Sequence, residues 1–500
     1  METKKTITLL FLFFGIILNA QTNEYDTIDK FIETTLNNFK ETPGLAITII
    51  KDGKPFFTKA YGYADVENKI EAKPSTAYYI ASTTKSFVGL LALQLAEEGI
   101  LDLEKPITHY APIKDFKDNS AFKDVTIKDL ITHTSGIRNS HLTFRNSSEG
   151  EYSLDDMVRI METKTINSYK KFRYDNLGYN VLDFILQIEF NLNWKDLLKD
   201  KILDPLKMNR TTAYLSKAEK NNWDMAQPYS ALNDLELPKL VSTQKNDATM
   251  HAAGGLVSSI EDAQKWLLVN MNDGKLNGKQ IFSKDIINKS HSLVAEYGGK
   301  TEIFENKGYG YGWNNAMYKE QKVIYHFGGF DGFFSHISFM PEKNIGIAVF
   351  TNEANLGDNA SNLVASFAYD LLLGNISSTS DYKEQVDAAE KRRGRVQSSF
   401  SGDRAFRAKY RDWTLKNKFS DYIGEYYNPN LGTISITLKQ EVLHAKLGIA
   451  SSISSPAVDE DTIRVEFRDS RGSNILFVFD KNGSPHAAVY NGEVFYKKFE

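Results

Sequence analysis

"YYIASTTKSFVG" occupies residues 78–89, and its reading decides the rest of the chain. The first half, "AYYIAS" (77–82), is β-branched and aromatic and predicts an extended segment. The second half begins an apolar helical spacing, with Phe87, Leu90, Leu91 and Leu95, that runs to Glu98 and stops at Gly99. Ser82 stands at the junction. A serine there is commonly only a helix cap. It can also be a nucleophile, because a helix N-terminus presents unpaired N–H groups and a positive dipole end. Lys85, one turn on, would lie on the same face, close enough to exchange a proton with the hydroxyl. Ser-x-x-Lys alone is weak, since Ser120/Lys123, Ser168/Lys171, Ser242/Lys245 and Ser380/Lys383 share the spacing. Only the pair at 82 and 85 joins an extended segment to a long amphipathic helix.

Outward from this point, residues 25 to 375 alternate helix and strand signals. "GLAITIIKDGKPFFTKAYGYAD" (44–65) predicts a hairpin turning at Asp52-Gly53. Segments 323–329, 333–341 and 344–352 predict three successive strands, and 360–374 an apolar helix. Composition shifts at Asn375. Residues 376–417 read as a linker with some helix, its basic run Lys391, Arg392, Arg393 and Arg395 forming a solvated face. Residues 418–500 carry alternating strands with Asn-Gly and Arg-Gly turns, an all-β unit of barrel or sandwich type.

Composition sets limits on function. A chain of 500 residues with 41% hydrophobic and 25% charged side chains is ordinary for a globular protein of two domains. The formal charge of −4, with a pI near 6.2, offers no basic surface for nucleic acid. Residues 1–20 read as a signal peptide: Lys4 and Lys5, the apolar "ITLLFLFFGIIL" (7–18), and a cut after Ala20. Twelve apolar residues fall short of the roughly 20 that span a bilayer, so no membrane span is expected after the signal is removed. The chain has no cysteine, which excludes disulfides and a thiolate nucleophile. A periplasmic or secreted location fits these features. "GGKT" (298–301) lacks the upstream glycine of a phosphate loop, and no Gly-x-Ser-x-Gly exists.

Two further stretches complete the pattern: "FRYDNLGYNVLDFILQ" (172–187), with Tyr174 and Asn176 just before a helix, and "HFGGFDGFF" (326–334), with His326, Gly328 and Gly329 on a strand. Ser-x-x-Lys, Tyr-x-Asn and a Lys/His-x-Gly strand, in that order, resemble the serine β-lactamase and penicillin-binding-protein superfamily. The resemblance is greatest to its class C and D-aminopeptidase/esterase-like branch. "DLITHTSGI" (129–137) and "HAAGGLVSSIEDAQKW" (251–266) also resemble that branch.

The resemblance implies an α+β fold, with an antiparallel sheet flanked by helices and a helical lobe, over 25–375, and a small lipocalin-like barrel over 418–500. It implies that Ser82 is the acyl-accepting nucleophile and that Lys85 helps deprotonate it. Tyr174 would be the alternative or cooperating base, its pKa lowered by the lysine charge. Asn176 would orient Lys85 and the substrate amide. Gly328 would leave room for the substrate beside the strand, and the N–H groups of Ser82 and Gly329 would form the oxyanion hole.

His326 departs from the lysine usual at its position, and Phe327 lacks a hydroxyl. A histidine is mostly neutral at pH 7, so esters or D-residue amides are expected to be better substrates than β-lactams. The expected activity is that of an exported serine hydrolase on a small molecule or peptide, with no metal and no organic cofactor. The alternative is a penicillin- or cell-wall-peptide-binding sensor without efficient turnover. His133 and His251 are expected to pack and hydrogen-bond. "YGYGWN" (309–314) is as much a core-and-turn segment as a substrate wall. The barrel is expected to shield the cleft or to mediate homo-oligomers.

Overall fold

A computed structural model describes residues 24–149, 152–232, 238–243, 245–353, 356–468 and 471–498; the expected signal peptide lies outside them. The fold is α+β, built on a nine-stranded antiparallel sheet. Its spatial order is 295–300, 305–309, 314–318, 321–330, 333–340, 345–351, 44–51, 54–65 and 70–71. The predicted hairpin pairs Gly44–Lys51 with Lys54–Asp65. Its turn residues Asp52 and Gly53 have φ of 52° and 70°, the left-handed pair that a tight two-residue turn demands.

Strand Gly44–Lys51 is apolar almost throughout because both sheet faces are covered. Leu45, Ile47 and Ile49 pack with the helices at 24–38 and Gly357–Leu372, where the Phe31 and Phe367 rings stack at 3.7 Å. Ala46 and Ile50 face the opposite core, shared with helices Thr84–Glu97 and Ile260–Met271, where Phe87 stacks on Trp266 at 3.9 Å. The helix after Ser82, expected to have one apolar face, is instead buried nearly all round, wedged between the sheet and a lobe of short helices. It ends as predicted at Gly99, whose φ is 75°.

Segment 376–417, expected as a linker with some helix, holds a 28-residue helix, Lys383–Tyr410. Its basic run is solvated only in part: Lys391 and Arg395 are exposed, but the two arginines between them are engaged. Arg393 pairs with the buried carboxylate of Glu41 at 3.1 Å, and Arg392 with Glu302 at 2.8 Å, strapping the helix to the preceding fold.

Beyond it, nine strands between Gly424 and Lys497 form a separate antiparallel sheet that nearly closes into a barrel. Alternation fills its interior with side chains such as Tyr426, Ile434, Leu443, Val465, Phe477 and Phe495. The edge strand Ala450–Ile453 returns to strand Thr462–Arg468 through the Glu466 N–H, which donates to Ser452 Oγ at 2.7 Å. The barrel seats on the helical lobe. Arg159 donates to Asn430 Oδ1 (2.9 Å) and to the Pro429 carbonyl (2.7 Å), the Ile449 N–H donates to the Ser148 carbonyl (2.8 Å), and His141 meets Glu493 at 2.8 Å. Among the described residues no helix is long and apolar enough to cross a membrane.

Candidate active site

Ser82 lies in a 3-10 turn, Ala81–Thr83, that heads the helix Thr84–Glu97, and it does not act as a side-chain cap. The backbone before it is strained. Ala81 has φ of 45°, a conformation costing a non-glycine residue about 1–3 kcal/mol. The surroundings hold it there. The Ile80 N–H donates to the Leu256 carbonyl (3.0 Å), and Ser335 Oγ donates to the Ile80 carbonyl (2.7 Å) while bonding Thr83 Oγ1 at 2.8 Å. Gly328 is required for this approach. A Cβ there would fall 2.1 Å from the Ile80 oxygen and 3.0 Å from the Ser82 nitrogen.

Lys85 is fully buried one turn above. Its Nζ lies 3.2 Å from Ser82 Oγ, 2.7 Å from Asn176 Oδ1 and 2.7 Å from the Ala253 carbonyl. Burial pushes its pKa down to about 7, with Asp175 partly opposing. A neutral amine has two hydrogens and one lone pair. The amide oxygen and the carbonyl take the hydrogens, leaving the lone pair for the Ser82 proton. Asn176 is free for this role because it leaves the capping of helix Leu177–Phe190 to its neighbour. Asp175 Oδ1 accepts the Leu177 N–H at 2.9 Å, whereas the Asn176 side chain makes no cap bond.

Tyr174 comes to the same place. Lys85 Nζ is 4.8 Å from its ring centroid, and the Ser82 hydroxyl is near enough to its phenol to influence it. The residue is 42% exposed, yet its hydroxyl is crowded by protein. The expected lowering of its pKa does not occur: burial raises it above the ordinary phenol value, and the Ser82 hydroxyl opposes this only in part. Tyr174 is therefore a phenol here, a proton donor rather than a phenolate base. Its ring is backed by His133, 4.5 Å away centre to centre, whose Nδ1 accepts the Asp175 N–H at 3.2 Å.

His326 is buried 6.1 Å from the Tyr174 ring. Burial, then the Lys85 charge, hold it neutral, its pKa down to about 3. Its Nδ1–H donates to the Phe327 carbonyl at 2.7 Å, so Nε2 accepts from the Tyr309 hydroxyl at 3.1 Å. The Phe327 carbonyl, which can only accept, fixes the tautomer, and Tyr309, from the aromatic stretch 309–314, donates to the nitrogen left bare. Tyr309 also packs edge-on to Tyr174, with centroids 6.4 Å apart.

Ser82, Asn176 and Gly329 line a cavity of about 370 Å³. No atom lies within 4 Å of where a Gly329 Cβ would stand, so the strand edge is open there. Of the other four residues singled out by the motifs, Lys85 and Gly328 adjoin Ser82, Tyr174 packs against Lys85, and His326 stands behind Tyr174. Others carry no such signal. The Ala253 carbonyl has no side chain to announce it, although it lies in the stretch 251–266. His251 bonds Asn180 at 3.2 Å, in keeping with the expectation that it packs and hydrogen-bonds, and it also lines the cavity. Asp331 lines it from beyond the strand, and Arg468 and Arg471 reach it from the barrel.

A family model described as "Beta-lactamase" matches residues 32–368, about two thirds of the chain and every site residue named above except the two barrel arginines. The chain belongs to the beta-lactamase family. Among curated relatives, Protein flp of Staphylococcus aureus (strain MW2) is 29% identical over 333 residues, 65% of this chain and 62% of its own length. Unguisins hydrolase ungD' of Aspergillus campestris is 25% identical over 358 residues, 69% of this chain and 64% of its own. The chain thus spans less than two thirds of the length of these relatives. Among solved structures, the octameric penicillin-binding protein homologue from Pyrococcus abyssi superposes with a TM-score of 0.59 at 24% identity, over 94% of this chain and 99% of its own. D-amino acid amidase from Ochrobactrum anthropi SV3, complexed with D-phenylalanine, gives 0.54 at 20% identity, over 69% and 98%. At these identities the likeness is one of fold.

Proposed function

We propose that the chain is an exported serine hydrolase that cleaves esters or D-residue amides through an acyl-enzyme on Ser82. The observation that carries this reading is the set of three contacts on the Lys85 amine, which leave its lone pair directed at Ser82 Oγ. In the first step Ser82 Oγ bonds to the substrate carbonyl carbon while its proton passes to Lys85. The N–H groups of Ser82 and Gly329 receive the oxyanion. Collapse of the tetrahedral intermediate breaks the bond to the leaving group, which takes a proton from the Tyr174 phenol, itself reprotonated through Lys85. Water then repeats the sequence on the acyl-enzyme, releasing the acid and restoring Ser82.

The neutral His326 supplies no fixed charge to a substrate carboxylate of the β-lactam kind, which favours esters and D-residue amides over penicillins. Membership of the class C and D-aminopeptidase/esterase-like branch, a signal peptide at 1–20, a hydrolase domain at 25–375 and a lipocalin-like role for 418–500 belong to the same reading.

The test is a panel of p-nitrophenyl esters, D-amino-acid anilides and nitrocefin, run on the wild type and on Ser82→Ala. We expect ester or D-anilide turnover well beyond one equivalent, slow nitrocefin hydrolysis, and loss of all activity in the variant. Activity surviving in Ser82→Ala overturns the reading. A single equivalent of acylation without turnover would instead make the protein a sensor.

A further inference from the structure

The cleft does not end at Ser82. Phe330, Asp331, Arg468 and Arg471 wall both the catalytic cavity and a second one of about 270 Å³ beside it. Thr243 and Phe467 wall both that second cavity and a third of about 640 Å³, which lies between the barrel, the strap helix Lys383–Tyr410 and strand Lys239–Leu240. The three cavities adjoin in a row that leads from the candidate nucleophile along the barrel.

The far cavity is strongly one-signed. Lys239, Arg404, Arg407, Arg411 and Arg464 line it, with Glu466 as its sole lining carboxylate among the described residues. That carboxylate is shared by three guanidiniums: Arg404 at 2.8 Å, Arg407 at 3.4 Å, and Arg464 closer still. Arg407 and Arg464 alone already bring two positive charges to that one carboxylate. The crowding is felt by Arg407, which is pushed below the ordinary guanidinium range by burial and then by the charge of Arg464. The placement is also built. A Cβ on Gly472 would land 1.8 Å from Arg464 Nη2, so the neighbouring strand is bare where the guanidinium lies. Nearer the nucleophile the charge has the same sign. Arg468 and Arg471 stand in the shared wall, and Lys245, 4.1 Å from the Phe330 ring, is pushed down to about 7 by burial and by the charge of Arg468. Asp331 is the opposing carboxylate there.

We propose that these cavities form one extended groove, in which the arginine-lined far end binds the carboxylate of an elongated, peptide-like substrate whose reacting carbonyl lies at Ser82. The proposal rests on the reading of Ser82 as nucleophile and adds the substrate class, an acidic chain of several residues. Guanidinium forks match a carboxylate in two-point geometry, and partial desolvation strengthens each charge-assisted bond.

The test uses the full chain and needs no variant to begin. Hydrolysis of p-nitrophenyl acetate, a substrate too short to reach the arginines, is measured with a series of di- to octapeptides added as inhibitors, each with a free C-terminal carboxylate or as the C-terminal amide. We expect competitive inhibition to appear only in the longer peptides, with the acid at least tenfold stronger than the amide, and that preference to vanish in Arg407→Gln/Arg464→Gln while Arg407→Lys keeps part of it. Equal inhibition by acid and amide, inhibition independent of length, or binding of the acid without competition each overturns the groove. Failure of p-nitrophenyl acetate hydrolysis itself would count against the Ser82 reading instead, so the two failures are distinguishable.

Discussion

At the residue scale, function turns on what burial does to two side chains. It pushes the ammonium of Lys85 down towards neutrality and the phenol of Tyr174 further into its protonated form, so one becomes the acceptor and the other the donor. The sign for pH dependence follows. Only the unprotonated amine can take the Ser82 proton, so kcat/KM for a p-nitrophenyl ester should fall as pH drops through about 7 and level off above it. A basic limb placed instead near 10 would mean that Lys85 is charged at rest. Lys85→Met should reduce kcat by about 10²–10⁴-fold, the usual loss for a general base, with the chain still folded by circular dichroism. His133 backs the Tyr174 ring from a left-handed backbone, φ 62°, and its packing and hydrogen bonding are those its sequence context predicts. Nothing in a lone histidine signals which ring it supports.

At the element scale, the catalytic parts are held by close backbone approaches. Strand Gln321–Phe330 reaches the turn around Ser82 only because residue 328 has no side chain. Gly328→Ala must part strand and turn by more than an ångström. We expect a loss of at least tenfold in ester hydrolysis and about 1–3 kcal/mol in denaturant unfolding, the range for overpacking. Unchanged activity would show that the strand is not a wall of the site. The sequence marks Gly328 as leaving room beside the strand for a substrate, but the space is taken by the Ile80 carbonyl and the Ser82 nitrogen instead. The hairpin at Asp52-Gly53 and the helix stop at Gly99 are legible because a tight local backbone admits few residues. The strap helix is not. Its polar, basic sequence carries only a thin apolar stripe, Val386, Ala389, Val396 and Phe400, and its anchor is a buried carboxylate, Glu41, far back in the chain.

At the scale of the whole molecule, the barrel is part of the cleft's wall. The motifs at 82–85, 174–176 and 326–329 carry their own short-range signatures, which is why the catalytic cluster is legible in the sequence. Arg468 and Arg471 carry none, because their meaning depends on how a second sheet docks on the first. That docking is testable. Arg159→Ala removes two hydrogen bonds to Pro429 and Asn430. It should cost about 1–3 kcal/mol in thermal or denaturant unfolding and increase trypsin cleavage after Arg411. Unaltered stability and cleavage would mean that this contact contributes nothing to seating the barrel. The proposed chemistry depends on one covalent event. Acid-quenching the protein within its first turnovers on a p-nitrophenyl ester, followed by peptide mapping by mass spectrometry, measures it directly. The predicted result is one acyl group on the peptide containing Ser82, absent in Ser82→Ala; an adduct on any other residue, or equal labelling of the variant, would contradict it.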